Sequence, residues 1–243
     1  MSEAETDRDT LRKAGIALLL GGAINILRAI PIAMSEGVTA DNFPPKTAMD
    51  IVVFAQFPVW RASHAAAVVA AVLILFGLSV LVREAVRRGQ AGPALMTLVG
   101  IGSSMMLFLV AFVSDGIVLS FAVENMVARG ADHVAAQTPL IEYAHFVATG
   151  FAGVSAALML ITALFLGLTL MRAFGARRLG VVGIAIGLVS AAGYLSGVLS
   201  LNFSRTIHFV GPLAVITFLY FSAIGIAILR GGLGAVADAK IKS

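Results

Sequence analysis

The sequence predicts an all-α fold: a polytopic membrane bundle of six transmembrane helices with both termini cytoplasmic. Composition, the lengths of the apolar runs and the placement of Lys and Arg carry that prediction. Of the 243 residues, 59% are hydrophobic and 12% charged, with a mean hydropathy of +0.98, and a soluble domain of this size could not cover so much apolar surface. A helix needs about 20 apolar residues to cross a hydrocarbon core of about 30 Å. Such runs lie near 12–34, 62–82, 93–122, 144–171, 179–200 and 208–229. They are unbroken stretches of Ala, Leu, Val, Ile and Gly without the alternation of barrel strands. Little chain is left over, so residues 1–243 read as a single transmembrane domain.

Orientation follows from the basic residues. Arg8, Arg12, Lys13, Arg83, Arg87, Arg88, Arg172, Arg177, Arg178, Arg230, Lys240 and Lys242, twelve of the seventeen, fall at one set of helix ends. By the positive-inside rule both termini and the short connections at 83–92 and 172–179 are cytoplasmic. The net charge of +4 is thereby a property of topology, and nucleic acid is not an expected partner.

The elements follow in order. The first run is too long for a signal-peptide core, and its start mixes acids with bases, so it is a retained helix; Arg28 is expected two turns or so inside it. The outer connection 34–60 reads as a turn at Asp41 to Pro45 and a short interfacial helix from Lys46 to Phe57, able to lid the bundle. Gly92-Pro93 opens the third helix, and a second long outer connection is expected at about 125–140. Gly183 and Gly187 on the fifth helix have the small-x-x-x-small spacing of close helix contacts. Pro212 is tolerable near the start of the sixth.

Polar residues sort to the outer half. Pro58-x-x-Arg61-x-x-His64 and Pro139-x-x-Glu142-x-x-His145 recur 81 residues apart, and a weaker copy, Asn202-x-x-Arg205-x-x-His208, follows 63 later. A charge and an imidazole three apart share a helix face. Charged groups at membrane depth face a bundle interior or a wet cavity. Arg28, Arg61, His64, Asp115, Glu142, His145, Arg205 and His208 are therefore expected to converge on an outward-opening pocket. Asp115 and Glu124, nine residues apart, are about 180° around an ideal helix and cannot both point into it.

Several chemistries suit that set. His64, His145 and His208 with a carboxylate oxygen would hold a divalent metal such as zinc. Two imidazoles facing each other would ligate a b-type haem. Arg28, Arg61 and Arg205, with Asp115 and Glu142, are candidate ligand-binding residues for an anion or lipid head group. The competing reading is ion pairing, Arg28 with Asp115 or Arg61 with Glu142, which would lock packing and bind nothing. His133, in a polar stretch beside Asp132, is read as structural. Glu142-x-x-His145 alone falls short of a di-iron bundle, which needs the motif twice. There is no cysteine and so no thiolate site.

The six-run layout, the Leu11-Arg12-Lys13-Ala14-Gly15 start, the long first outer loop and the Arg-x-x-His at the head of the second helix resemble small bacterial six-helix integral membrane proteins of unknown function. That resemblance transfers no activity and no site residue. The function expected from the residues is binding or processing of a small or lipid-like ligand, with or without a metal, at the outer leaflet. The alternative is a structural or regulatory membrane subunit. Transport is disfavoured because the inner half offers no polar path.

Overall fold

The computed structural model describes residues 3–35, 38, 45, 47–199, 203–231 and 233; for residues 3, 4, 6, 195–199 and 203–213 it describes the backbone alone. The architecture is all-α. The long helices are α1 (Glu3–Leu27), α4 (Pro58–Arg87), α5 (Ala91–Phe112), α7 (Ala131–Phe174), α8 (Arg177–Leu199) and α9 (Phe203–Leu229). Two short ones, α2 (Ile30–Ala33) and α3 (Ala48–Ala55), lie in the connection between α1 and α4. A π-helical segment, Val113–Val118, joins α5 to α6 (Leu119–Ala128) without a break. Among the described residues, five helical stretches are long and apolar enough to cross a membrane, and Ala214–Leu229 is a shorter apolar one.

The long helices close into a ring in which each packs on the next, and α9 returns against α1. Leu18, Ile74, Leu78, Ile101, Leu160, Leu166, Phe221 and Ile224 form one continuous core drawn from α1, α4, α5, α7 and α9. Lipid gives helices no hydrophobic reason to associate, so small residues and hydroxyl pairs hold the seams. Gly167 and Gly180 let α7 and α8 meet backbone to backbone: a Cβ on Gly167 would lie 2.5 Å from the Gly180 carbonyl oxygen. Between α5 and α7, Ser104 and Ser155 each donate to the other's carbonyl at 2.8 Å, and Thr97 meets Thr169 at 3.3 Å.

At one end the turns are tight. Gly89, at φ 77°, follows α4, and Gly175, at φ 64°, caps α7, both in the left-handed region that glycine enters without strain. The other end is irregular. Helix α1 stops at Leu27 because Pro31 has no N–H to continue the ladder, so Arg28 sits in a turn rather than inside the helix.

The expected loop at 125–140 is not one. Helix α6 runs to Ala128, Gly130 turns the chain at φ 101°, and α7 starts at Ala131 and carries Pro139 within it. At 1.5 Å per residue the 44-residue α7 is about 66 Å long, twice a hydrocarbon core. The α6–α7 hairpin therefore stands beyond the apolar layer. Helix α3 packs on it: Ile51, Val52 and Ala55 are buried against Leu119, Val123 and Ile141. Thr47 and Asp50 form a capping box that starts α3. The short helix expected over Lys46 to Phe57 is thus a cover over α6 and α7, while the turn expected over Asp41 to Pro44 lies outside the described residues.

Candidate functional site

Asp115 stands in the π segment, and two histidines from two other helices close on its carboxylate. His145 Nδ1 of α7 is 2.7 Å from Oδ1, and His64 Nε2 of α4 is 3.5 Å from Oδ2. All three are largely removed from solvent, with side-chain exposures of 13%, 7% and 14% for His145, His64 and Asp115.

The π segment makes this possible. A π turn widens the helix and releases carbonyls from the regular ladder, and each must then find another donor. Trp60 Nε1 donates to the Asp115 carbonyl at 3.4 Å, and the Ser120 hydroxyl donates to the Gly116 carbonyl at 2.8 Å. Gly116 is the contact point with α4: a Cβ there would fall 2.0 Å from Cβ and Cγ of His64. Only glycine lets the imidazole lie flat against the segment and reach Asp115.

The hydrogen-bond roles constrain the protons. The Trp60 carbonyl can only accept, so the His64 Nδ1 that lies 2.8 Å from it carries the hydrogen. The other ring nitrogen, Nε2, then faces a carboxylate oxygen. Two bare lone pairs would repel there, so the contact is attractive when a proton lies in the gap, held by the imidazole or by the carboxyl group. On the far side, His145 Nδ1 donates to Asp115 and its Nε2 lies 3.5 Å from the Thr149 hydroxyl. The three groups form one chain across the bundle, Trp60 carbonyl to His64 to Asp115 to His145 to Thr149. A crevice of about 90 Å3, lined by His64, Phe112, Asp115, Ala148, Thr149 and Ala152, opens beside it, room for a few waters or a small polar group.

Arg28 lies behind the cluster. Its guanidinium rests 4.4 Å from the centroid of the Phe112 ring, which is itself 5.2 Å from the His64 ring. It donates to Ser63 Oγ and Asn25 Oδ1, both at 3.4 Å. Among the described residues it has no carboxylate partner, so the Arg28–Asp115 pair is not formed. Arg61 does not enter the pocket either. It makes a two-pronged ion pair with Glu124 on the exposed outer face of α4 and α6, which replaces the Arg61–Glu142 pair considered from sequence. Glu142 is half-buried on α7 and makes no ion pair among the described residues. Asp115 and Glu124 do diverge as helical geometry requires. The side chains of Arg205 and His208 lie outside the described residues.

Among the described residues no three His, Cys, Asp or Glu side chains are placed to hold a metal ion. His133 lines a separate polar cleft with Asn125, Arg129 and Gln137 on the α6–α7 hairpin.

Depth can be worked out from helix length. Asp115 is 24 residues beyond Ala91, and His64 is 23 before Arg87, about 35 Å along each helix at 1.5 Å per residue. One hydrocarbon thickness is about 30 Å. The cluster therefore lies about one hydrocarbon thickness along the helices from the tight turns. Exposed Phe121, Tyr143 and Phe146 stand at that level, as aromatic belts do. A second, apolar groove of about 280 Å3, lined by Val118, Ala122, Leu140 and Ala144 among others, lies between the same two elements just above it.

Trp60, Ser63, Phe112, Gly116 and Thr149 complete the site and were not singled out from sequence. Thr149 is four residues from His145, which places it on the same face; nothing in the sequence marks the π segment that positions Asp115 and Gly116. Comparison with protein-family models, with curated proteins and with solved structures finds no match to this chain.

Proposed function

We propose that this chain is a bacterial inner-membrane protein with six spans and both termini cytoplasmic, similar to the small six-helix membrane proteins of unknown function. In this reading it binds or processes a small or lipid-like ligand at the outer leaflet. Ten basic residues at the tight-turn ends, from Arg8 to Arg230, support the orientation, and the backbone of α9, 27 residues long, supports the sixth span.

The observation that carries the functional reading is the clamped Asp115. A carboxylate gripped by two imidazoles, at head-group depth and beside a crevice, is a proton-handling group within reach of anything lying in the outer leaflet. The crevice takes a polar head, and the apolar groove between the π segment, α6 and α7 takes the tail. Asp115, His64 and His145 do the chemistry; Arg28 orients His64 through Phe112 and Ser63. Arg61 and Glu142 drop to the periphery.

The test is mass spectrometry and elemental analysis of protein purified in mild detergent, wild type beside His64→Ala and His145→Ala. A bound small molecule, lipid or metal ion present in wild type and lost in both folded variants is expected. Identical spectra from all three proteins would refute the reading and leave the cluster as a packing device.

A further inference from the structure

At the opposite end of the bundle, α1 and α9 part to leave a cleft of about 590 Å3, within the size range of ligand sites. Arg8 and Arg12 line it from α1, and Arg230 lines it from the end of α9. The floor is apolar, built by Leu11, Ile228 and Leu229.

Basic residues at this end need no ligand to explain them, since topology alone favours them. Their pairing separates them into two groups. Arg83 and Arg87 contact Asp7 at 3.6 and 2.7 Å, and Arg88 is bonded to Glu84 at 2.8 Å while lying over Phe174. Those arginines are consumed in holding α1 to α4 and α4 to α7. Arg8, Arg12 and Arg230 make no ion pair among the described residues, yet two helices bring them to one cleft. Two acids share its wall: Asp9, already taken by Lys13 at 2.6 Å, and Glu5.

We propose that this cleft binds the phosphodiester head group of an anionic phospholipid. Guanidinium forks match phosphate oxygens, basic pockets between transmembrane helices at the cytoplasmic face suit anionic head groups, and the apolar floor of Leu11, Ile228 and Leu229 offers contact to the start of an acyl chain. The site is independent of the Asp115 cluster, one membrane thickness away.

The experiment uses the full chain in detergent. Retained phosphatidylglycerol and phosphatidylcholine are counted by native mass spectrometry, with inorganic phosphate as a competitor. Wild type is expected to hold phosphatidylglycerol at least tenfold in preference, and the triple variant Arg8→Gln, Arg12→Gln, Arg230→Gln to fall within twofold of no preference. A control, Arg172→Gln, Arg177→Gln, Arg178→Gln, removes the same charge from the same membrane face and is expected to keep the preference; Arg230→Gln alone gives a milder probe of the cleft, with a partial loss. Equal loss in the two triple variants would reduce the effect to general surface charge and overturn the proposal. So would equal binding of the two lipids by wild type, or saturation of the site by millimolar inorganic phosphate.

Discussion

Replacing Asp115 by asparagine should leave the clamp standing while removing its charge, and replacing it by alanine should not. His64 Nδ1 is committed to the Trp60 carbonyl, so its Nε2 can accept from an asparagine Nδ2–H without any shared proton, and the asparagine oxygen can still accept from His145 Nδ1. Both imidazoles keep a partner. What is lost is the charge-assisted part of the 2.7 Å bond. Bonds to charged groups contribute about 1.5–3 kcal/mol and neutral ones about 0.5–1.5, so Asp115→Asn should destabilise by about 1 kcal/mol. Asp115→Ala strands one donor and one acceptor, each costing about 1–3 kcal/mol when buried. The adjacent crevice admits water, which pulls the sum toward its lower end, about 2–3 kcal/mol. Reversible unfolding in detergent, followed by circular dichroism, measures both. If asparagine proves as damaging as alanine, the carboxylate charge itself holds the bundle and the hydrogen-bond assignment is wrong. Ligand retention should behave oppositely, with both variants losing it, because the chemistry needs the ionisable group.

Other substitutions probe separate claims. Gly116→Ala puts a methyl group 2.0 Å from His64 and should destabilise by about 1–3 kcal/mol through overpacking, a loss that His64→Ala in the same chain should partly rescue. Arg61→Gln breaks an exposed pair with Glu124 and should change stability by under about 1 kcal/mol without affecting ligand retention; a full loss of ligand would return Arg61 to the site. The Tyr220 hydroxyl is buried and has no hydrogen-bond partner among the described residues, so Tyr220→Phe should be neutral or stabilising by up to about 1 kcal/mol, read by the same unfolding assay.

Hydropathy made the helices legible because a long apolar run must satisfy its own backbone, and only a helix does so segment by segment. It under-read their outer ends. The stretch 125–140 looks like a loop since Gly130, Asp132, Thr138 and Pro139 break the apolar pattern, yet outside the hydrocarbon layer a helix needs no apolar run, only a partner, and α3 supplies one through Ile51 and Val52. The site was legible residue by residue where helix direction alone decides, as for His64, His145 and Asp115. It was not legible where partner choice decides. Arg61 could reach Glu142 or Glu124, and the winner is set by the rotation that the π segment gives α6, a backbone feature that Val113 to Val118 do not announce.

Departures from regular helix collect at one level of the bundle. Helix α1 breaks at Arg28, the third span widens at Val113–Val118, and α7 carries Pro139 six residues before His145, whereas the opposite ends close with tight glycine turns. Irregular backbone in an apolar bundle is tolerated only where protein or water satisfies the released groups, and at the π segment Trp60 Nε1 and the Ser120 hydroxyl do so. A bundle selected for stability alone gains nothing from three such interruptions on three helices around one carboxylate. Regular helices would put residue 115 elsewhere on the circumference and fill the space beside His64 with a side chain. Where local rules are broken together and repaired at additional expense in side-chain partners, the reason is more readily found in what the arrangement holds than in how the chain folds. What this arrangement holds is an acid between two bases.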